Sequence, residues 1–228
     1  MKVTLKSYTN RPLETMEGAA ANCYASKPTK SGRIAEACIS EGHQAIAEFA
    51  DFTFHIEGAS RALLAQLSRH RMASFAVRSQ RYCDESGFKF VIPHTVSKDE
   101  AALTEFHNIM SDIQKSYNKL IELGIPKEDS RFVLPNACET IIEVKMNLRE
   151  LIHFCGLRLC TRAQWEIREL AEAMKNLIYM QVDLPTYGEA KLSKYLVPNC
   201  EQHPVPFCTE QKCCGRHEKL TDLLEGKI

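Results

Sequence analysis

Gln66-Leu67-Ser68-Arg69-His70-Arg71-Met72-Ala73-Ser74-Phe75-Ala76-Val77-Arg78-Ser79-Gln80-Arg81-Tyr82 packs four arginines and a histidine into seventeen residues, directly after an apolar run, Ser60 to Leu67, that reads as a helix. Arg69, His70 and Arg71 are consecutive. Neither a helix, with period 3.6, nor a strand, with period 2, points three successive side chains one way, so they suit an irregular segment wrapped round a ligand. Arginine presents a rigid planar fork of donors matched to phosphate and carboxylate oxygens, and it stays charged at any working pH. The stretch therefore reads as an anion site; the competing reading is a solvated basic helix end that complements the helix dipole.

Outward from this stretch the pattern alternates between strands and helices. Lys2 to Tyr8 and Asp51 to Glu57 alternate as half-buried strands, Pro12 opens a helix with Met16, Ala19, Ala20 and Cys23 inside, and another helix runs from Ser31 to about Gly42. Phe88 to Ile92 reads as a strand closed by Pro93. Ser97 with Glu100 reads as a capping box that opens a helix to Gly124, with a core stripe of Leu103, Phe106, Ile109, Met110, Ile113, Tyr117, Leu120 and Ile121. Pro126 starts a short helix before Pro135, and Thr140, Ile142, Val144 and Met146 mark the buried face of one more strand. Asn147 with Glu150 caps a helix on which Arg149 and His153, four apart, share a face. Arg158 follows five residues later, roughly 140° round an ideal helix, which sends it to another pocket wall or another ligand. Ala163 to Met180 continues helically, and beyond Pro185 the chain is irregular. The expected class is α+β, a small mainly antiparallel sheet packed by long helices, without the glycine-rich loops of a Rossmann or P-loop domain.

Composition bounds the function. The 228 residues hold 29 Lys+Arg against 29 Asp+Glu, 44% hydrophobic and 25% charged, so no global charge points to nucleic acid or a membrane and the basic clusters act locally. No apolar run approaches the roughly 20 residues of a membrane span, and Met1-Lys2-Val3 opens on a strand and not a signal peptide, so a cytoplasmic protein is expected. The ten cysteines then read as reduced thiols. Cys200, His203, Cys208, Cys213, Cys214 and His217 crowd into eighteen residues; because the spacing is not that of a standard finger, they are read as a thiol-rich tail packed on the core, with no metal, and structural zinc is the alternative.

Arg-His-Arg, seven residues, then Ser79-Gln80-Arg81-Tyr82 resembles the signature of the flavin-dependent thymidylate synthases. Gly42-His43, Phe52-Thr53-Phe54, Arg131-Phe132-Val133-Leu134-Pro135, Asn147-Leu148-Arg149, His153-Phe154 and Leu157-Arg158 with Ala163-Gln164-Trp165-Glu166-Ile167 extend the likeness in the family's order over roughly residues 10–190. The resemblance implies one domain over 1–190, with 191–228 a Cys/His-rich extension of the same unit, and a homotetramer whose active sites draw on several chains. It implies the reductive methylation of dUMP to dTMP: a methyltransferase reaction with NADPH oxidation, in which 5,10-methylenetetrahydrofolate gives the carbon and FAD carries hydride. It assigns FAD to Arg69, His70, Arg71, Asn147, Leu148, Arg149, His153 and His43, the dUMP to Gln66, Arg69, Ser79, Gln80, Arg81, Arg131 and Arg158, and the catalytic role at the pyrimidine to Arg158. No cysteine, Cys83 included, is expected to be a covalent nucleophile. The chain departs from the family at Ala76-Val77, where relatives carry Asn-Glu, and at Ala45 and Phe49, where a hydroxyl and an imidazole are expected. The alternatives are modification of a related pyrimidine nucleotide, a non-catalytic FAD- and nucleotide-binding protein, or a zinc-dependent binding module built on the tail.

Overall fold

The computed structural model describes residues 1–188 and 191–226. The expected domain limit at residue 190 therefore lies outside the described residues. Four strands, β1 (Lys2–Tyr8), β2 (Asp51–Ser60), β3 (Ala73–Val77) and β4 (Glu139–Asn147), form one sheet in the order β1-β2-β4-β3. Pairing across β2 and β4 runs from Leu148 N on Ala50 O to Arg61 N on Cys138 O, residue numbers rising on one strand as they fall on the other, which makes the pair antiparallel. Helices α1 (Pro12–Cys23), α2 (Arg33–Ser40), α3 (Arg61–Leu67), α4 (His94–Ser97), α5 (Glu100–Glu122), α6 (Lys127–Ser130), α7 (Leu148–Arg158), α8 (Trp165–Ile178), α9 (Leu184–Tyr187) and α10 (Leu220–Leu224) complete the α+β architecture.

The chain divides into two compact units that interleave along the sequence. One gathers Met1–Lys2, His55–Arg69 and Phe75–Glu143, the other Val3–Phe54, His70–Ser74 and Val144–Ile228. In the first, Phe88, Met110 and Cys138 form a buried cluster against Phe90, Phe106, Ile113, Leu134 and Ala137. In the second, α1 packs on α2 and α7 on α8, with Met16, Ala20, Phe52, Phe54, Leu151, Phe154, Leu170 and Met174 buried.

Glu17 ties α1 to α2. Its carboxylate is buried and accepts from Thr29 N at 2.9 Å, from Thr29 Oγ1, and from Ala35 N at 2.8 Å in the first turn of α2. Gly32 precedes that turn at φ +71°, where a Cβ would strike the Leu13 side chain at 2.4 Å. Burial pushes the Glu17 carboxyl up, but the donors from Thr29 and Ala35 outweigh it and hold it below its usual value. The unfolded chain then takes up the proton first, so this stabilisation is complete above the ordinary carboxylate range and is lost as pH falls through the depressed folded value. Glu17→Gln is expected to cost about 2 kcal/mol at neutral pH, and urea unfolding at stepped pH should show the gap between wild type and variant closing toward acid.

Four expectations are corrected. The cation-rich stretch is not wholly irregular, because Ala73–Val77 forms the edge strand β3. Phe88 to Ile92 is no full strand: Phe90 bridges Cys138 and Val91 N reaches Ala137 O, but β4 beyond that point already has β2 and β3 as neighbours. The cap of α5 is Asp99, whose Oδ1 accepts from Ala102 N at 2.9 Å, while Ser97 ends α4 and bonds back to His94 O. The α5 stripe is only partly core, with Met110 and Tyr117 buried but Ile109 45% exposed.

Candidate active site

The second unit builds its site on the entrance to α7. Asn147 ends β4, and its Oδ1 accepts from Glu150 N at 2.9 Å, capping the helix as the sequence requires. Leu148 N donates to Ala50 O at 2.7 Å and its side chain is fully buried, so Leu148 serves packing, and the ligand contact expected of it is not available to its side chain. With the helix start fixed, Arg149 and His153 emerge one turn apart on the exposed face. They line a cleft of about 430 Å³ with Gln44, Glu48, Met72, Asn147 and Glu150. Gln44, not His43, faces this cleft; His43 is exposed and its backbone N–H is spent on Cys38 O. Arg149 Nη1 donates to Glu48 Oε1 at 2.5 Å.

Behind the cleft lies a chain of three polar groups that sequence reasoning missed. Glu150 does not return to the N-cap as a capping box would; its Oε1 meets His70 Nδ1 at 3.0 Å, both side chains being buried. On the other ring nitrogen, Arg158 Nε donates to His70 Nε2 at 3.1 Å. Guanidinium N–H can only donate, so Nε2 is an acceptor and the neutral imidazole carries its proton on Nδ1, donated to Glu150. Burial, with the Arg158 charge beside it and against the hydrogen bond to Glu150, pushes the His70 pKa below its usual value, which favours this neutral form. His70 also stands edge-on to His153, with ring centroids 5.8 Å apart, and to Phe154 at 5.0 Å. The imidazole thus joins Arg158 to the His153 side of α7 despite their angular separation. The expected direct donation from His70 to a ligand phosphate is replaced by this internal role, because both ring nitrogens are engaged. Arg71 is exposed.

The first unit carries the other cationic group. Arg81 Nε bonds Glu128 Oε2 at 2.6 Å and Arg131 Nε bonds Glu128 O at 3.1 Å, so two arginines fifty residues apart in sequence meet at one residue of a short helix. Ser79 Oγ accepts from Arg81 N at 3.2 Å and Gln80 Nε2 reaches Cys138 Sγ at 3.5 Å. Gln66 is half-buried and Arg69 exposed at the end of α3. Arg78 is not available to replace the missing Asn-Glu pair: it bonds Glu85 at 3.1 Å and Asp84 O at 3.1 Å, closing its own loop. Ala76 is exposed on β3, and Ala45 and Phe49 are exposed as well. Arg61, which sequence reasoning passed over as a plain helix residue, donates Nη2 to Arg78 O at 2.7 Å, while its buried Nε has no partner. No signal in the sequence separated it from a solvated α3 arginine.

The α+β sheet thus carries a cleft with amide, guanidinium and imidazole groups and, behind it, a carboxylate–imidazole–guanidinium chain, a donor set of the class that suits an anionic ligand. The chain belongs to the thymidylate synthase complementing protein family, whose model matches residues 4–182. It is 42% identical to a flavin-dependent thymidylate synthase of Pyrococcus furiosus, over 92% of this chain and 90% of that one. It is 41% identical to that of Pyrococcus abyssi over 100% of both, and 47% identical to that of Geobacter sulfurreducens over 78% and 82%. The fold is similar to the crystal structure of a flavin-dependent thymidylate synthase from Helicobacter pylori complexed with FAD and dUMP, with a TM-score of 0.65 at 23% identity, over 84% of this chain and 100% of that one.

Proposed function

We infer that this chain makes dTMP from dUMP by reductive methylation, with 5,10-methylenetetrahydrofolate as carbon donor, FAD as cofactor and NADPH as reductant. The observation that carries the reading is the α7 cleft, where Asn147, Arg149 and His153 present amide, guanidinium and imidazole groups around a volume of about 430 Å³. That donor set fits the polar parts of a flavin nucleotide. When bound, FAD supplies hydride transfer that no side chain can perform.

The residues of this chain do the rest. Arg149, His153 and Asn147, with Arg69 and Arg71, bind the flavin; Ser79, Gln80, Arg81, Arg131, Gln66 and Arg69 hold the dUMP phosphate, a dianion that suits hydroxyl, amide and guanidinium donors together. Arg158 faces the pyrimidine and stabilises the negative charge that develops as the imide ionises, which makes C5 more nucleophilic. His70 and Glu150 hold Arg158. His43 and Leu148 are left out of the flavin set on the geometry above. Cys138 beside Gln80 is pushed up to about 11 by burial and is a neutral thiol, in keeping with a reaction that needs no cysteine nucleophile.

The family likeness, with cationic donors carried on separated elements of the chain, supports a homotetramer as the working form. Residues 191–228 form an extension of the same domain. No helix among the described residues is long and apolar enough to cross a membrane, and the ten cysteines are free thiols, which suits a cytoplasmic enzyme. Mixing the purified protein with dUMP, methylenetetrahydrofolate and NADPH should yield dTMP and a flavin absorption spectrum. A colourless protein that takes up no added FAD would sink the reading, and a flavoprotein that makes no dTMP would leave only the binding protein.

Glu48 competes for Arg149 in this cleft. Half-exposed ion pairs are worth about 0.2–1 kcal/mol, so Glu48→Gln should tighten FAD binding by about two- to fivefold, read as quenching of flavin fluorescence in a titration.

A further inference from the structure

The C-terminal stretch is ordered without a core of its own. Between residues 201 and 220 only Cys208 is buried, yet the segment is closed by Phe207 N on Cys200 O, Cys208 N on Glu218 O and Leu220 N on Cys208 O. Backbone ordering has an entropy cost at every residue, and small segments that cannot offset it by apolar burial are held by a metal or by disulfides. All ten cysteines are free thiols.

The side chains gather round one cavity. Cys160, Cys200, Cys208, Cys214 and His217 line one cavity of about 50 Å³. Ligand atoms of Cys200, Glu201 and His217 lie within 4.8 Å of one another, near enough for one ion to draw them onto the roughly 3.5 Å edges of a tetrahedron with bonds of about 2.0–2.3 Å. Glu201 Oε1 meets His217 Nε2 at 3.2 Å, the carboxylate contact that orients a ligand imidazole from behind. Gly215, at φ +84°, gives its amide to Cys213 Sγ at 3.3 Å, which turns the chain so that Cys214 faces the cavity.

We propose that this cluster is a structural zinc site in which Cys200 and His217 ligate the ion and two of the three cavity-facing thiolates, from Cys160, Cys208 and Cys214, complete its shell of four. Sulfur with imidazole is zinc's preferred donor set, and a closed four-ligand shell is the structural kind. The reading of a metal-free tail gives way because the tail has almost no buried apolar side chains to pack.

The site braces α7. Next to Cys200, Asn199 and Gln202 seat on Gly156, where a Cβ would meet Asn199 Oδ1 at 2.1 Å, and Gln202 Nε2 donates to Ile152 O at 3.3 Å. Zinc would fix this prop against the helix that carries Arg149, His153 and Arg158, and the close approach of Asn199 explains why a glycine stands in the last turn of α7.

The test is elemental analysis of the full-length protein purified from zinc-supplemented medium, with limited proteolysis alongside. One zinc per chain is expected, together with a tail resistant to protease; C200S/H217A should lose at least nine-tenths of the metal and be cut first between residues 201 and 220. Should that variant not fold, chelator-stripped wild type reloaded with Co²⁺ reports directly, since a tetrahedral thiolate site gives sulfur-to-cobalt charge-transfer and intense visible bands. Metal-free wild type with a resistant tail, a mass deficit showing disulfides, or reloaded protein without thiolate bands overturns the proposal. So does zinc retained in C200S/H217A but lost in H153A, which would place the ion on His70, Glu150 and His153.

Discussion

Arg158→Ala is expected to lower dTMP formation by on the order of 100-fold or more while the protein keeps its fold and its flavin. The guanidinium is half-buried at the end of α7, and its Nε is committed to His70 Nε2 at 3.1 Å, so its orientation is set before any substrate arrives. A preorganised donor has no reorganisation cost when charge develops on the pyrimidine, which is why its loss should fall on kcat more than on KM. Arg158→Lys should rescue little, because an ammonium has neither the Nε that meets His70 nor the planar fork. Initial rates at saturating dUMP, with flavin absorbance measured on the same samples, decide the matter; a drop of less than about threefold would remove Arg158 from the reaction.

Much of this architecture could be read from periodicity. In β4, Thr140, Ile142, Val144 and Met146 are the buried positions and Ile141 and Lys145 the exposed ones, because a two-residue period admits one buried face. Asn147 capped α7 as its residue type and position demanded. What periodicity does not contain is the identity of the neighbour. The α5 stripe was legible as an apolar face, but a stripe says nothing of what covers it, and most of it is only half-buried on this chain. Likewise Ala73–Val77 has the length of a strand, but its membership of the sheet rests on pairing with β4, which is far away in sequence.

The site was legible in its cations and illegible in their partners. Arg149 and His153 stand together as their four-residue spacing implied, whereas Arg158 was assigned a separate wall because spacing along one helix ignores a residue that enters from another segment. His70 is that residue. Glu150 had an adequate local explanation as a capping-box acid, and only its 3.0 Å contact with a histidine eighty positions away shows its other use. Leu148 and His43 carried a family likeness that the geometry gives to packing and to a turn.

Glu150→Ala should lower turnover by about ten- to a hundredfold although Glu150, at the back of the cleft, spends its carboxylate on His70 and not on a ligand. Removing it leaves a buried Nδ1–H without its acceptor, a loss of about 1–3 kcal/mol at that group, and frees the His70 ring to turn or to switch tautomer. In the other tautomer Nε2 carries the proton and faces the Nε–H of Arg158 donor to donor, so the arginine is pushed off its position. The effect must therefore pass through Arg158. Adding Glu150→Ala to Arg158→Ala should cost almost nothing further, whereas independent contributions would multiply. Acid should mimic the mutation: protonating His70 also puts a proton on Nε2, and because burial and the Arg158 charge hold the His70 pKa below its usual value, wild-type turnover should hold through neutral pH and fall only below about 6.5. Losing the Glu150 hydrogen bond, which raises that pKa, moves this acid limb to still lower pH in the variant. Full multiplicativity in the double variant, or an acid limb that does not move, would reduce Glu150 to a helix-start residue.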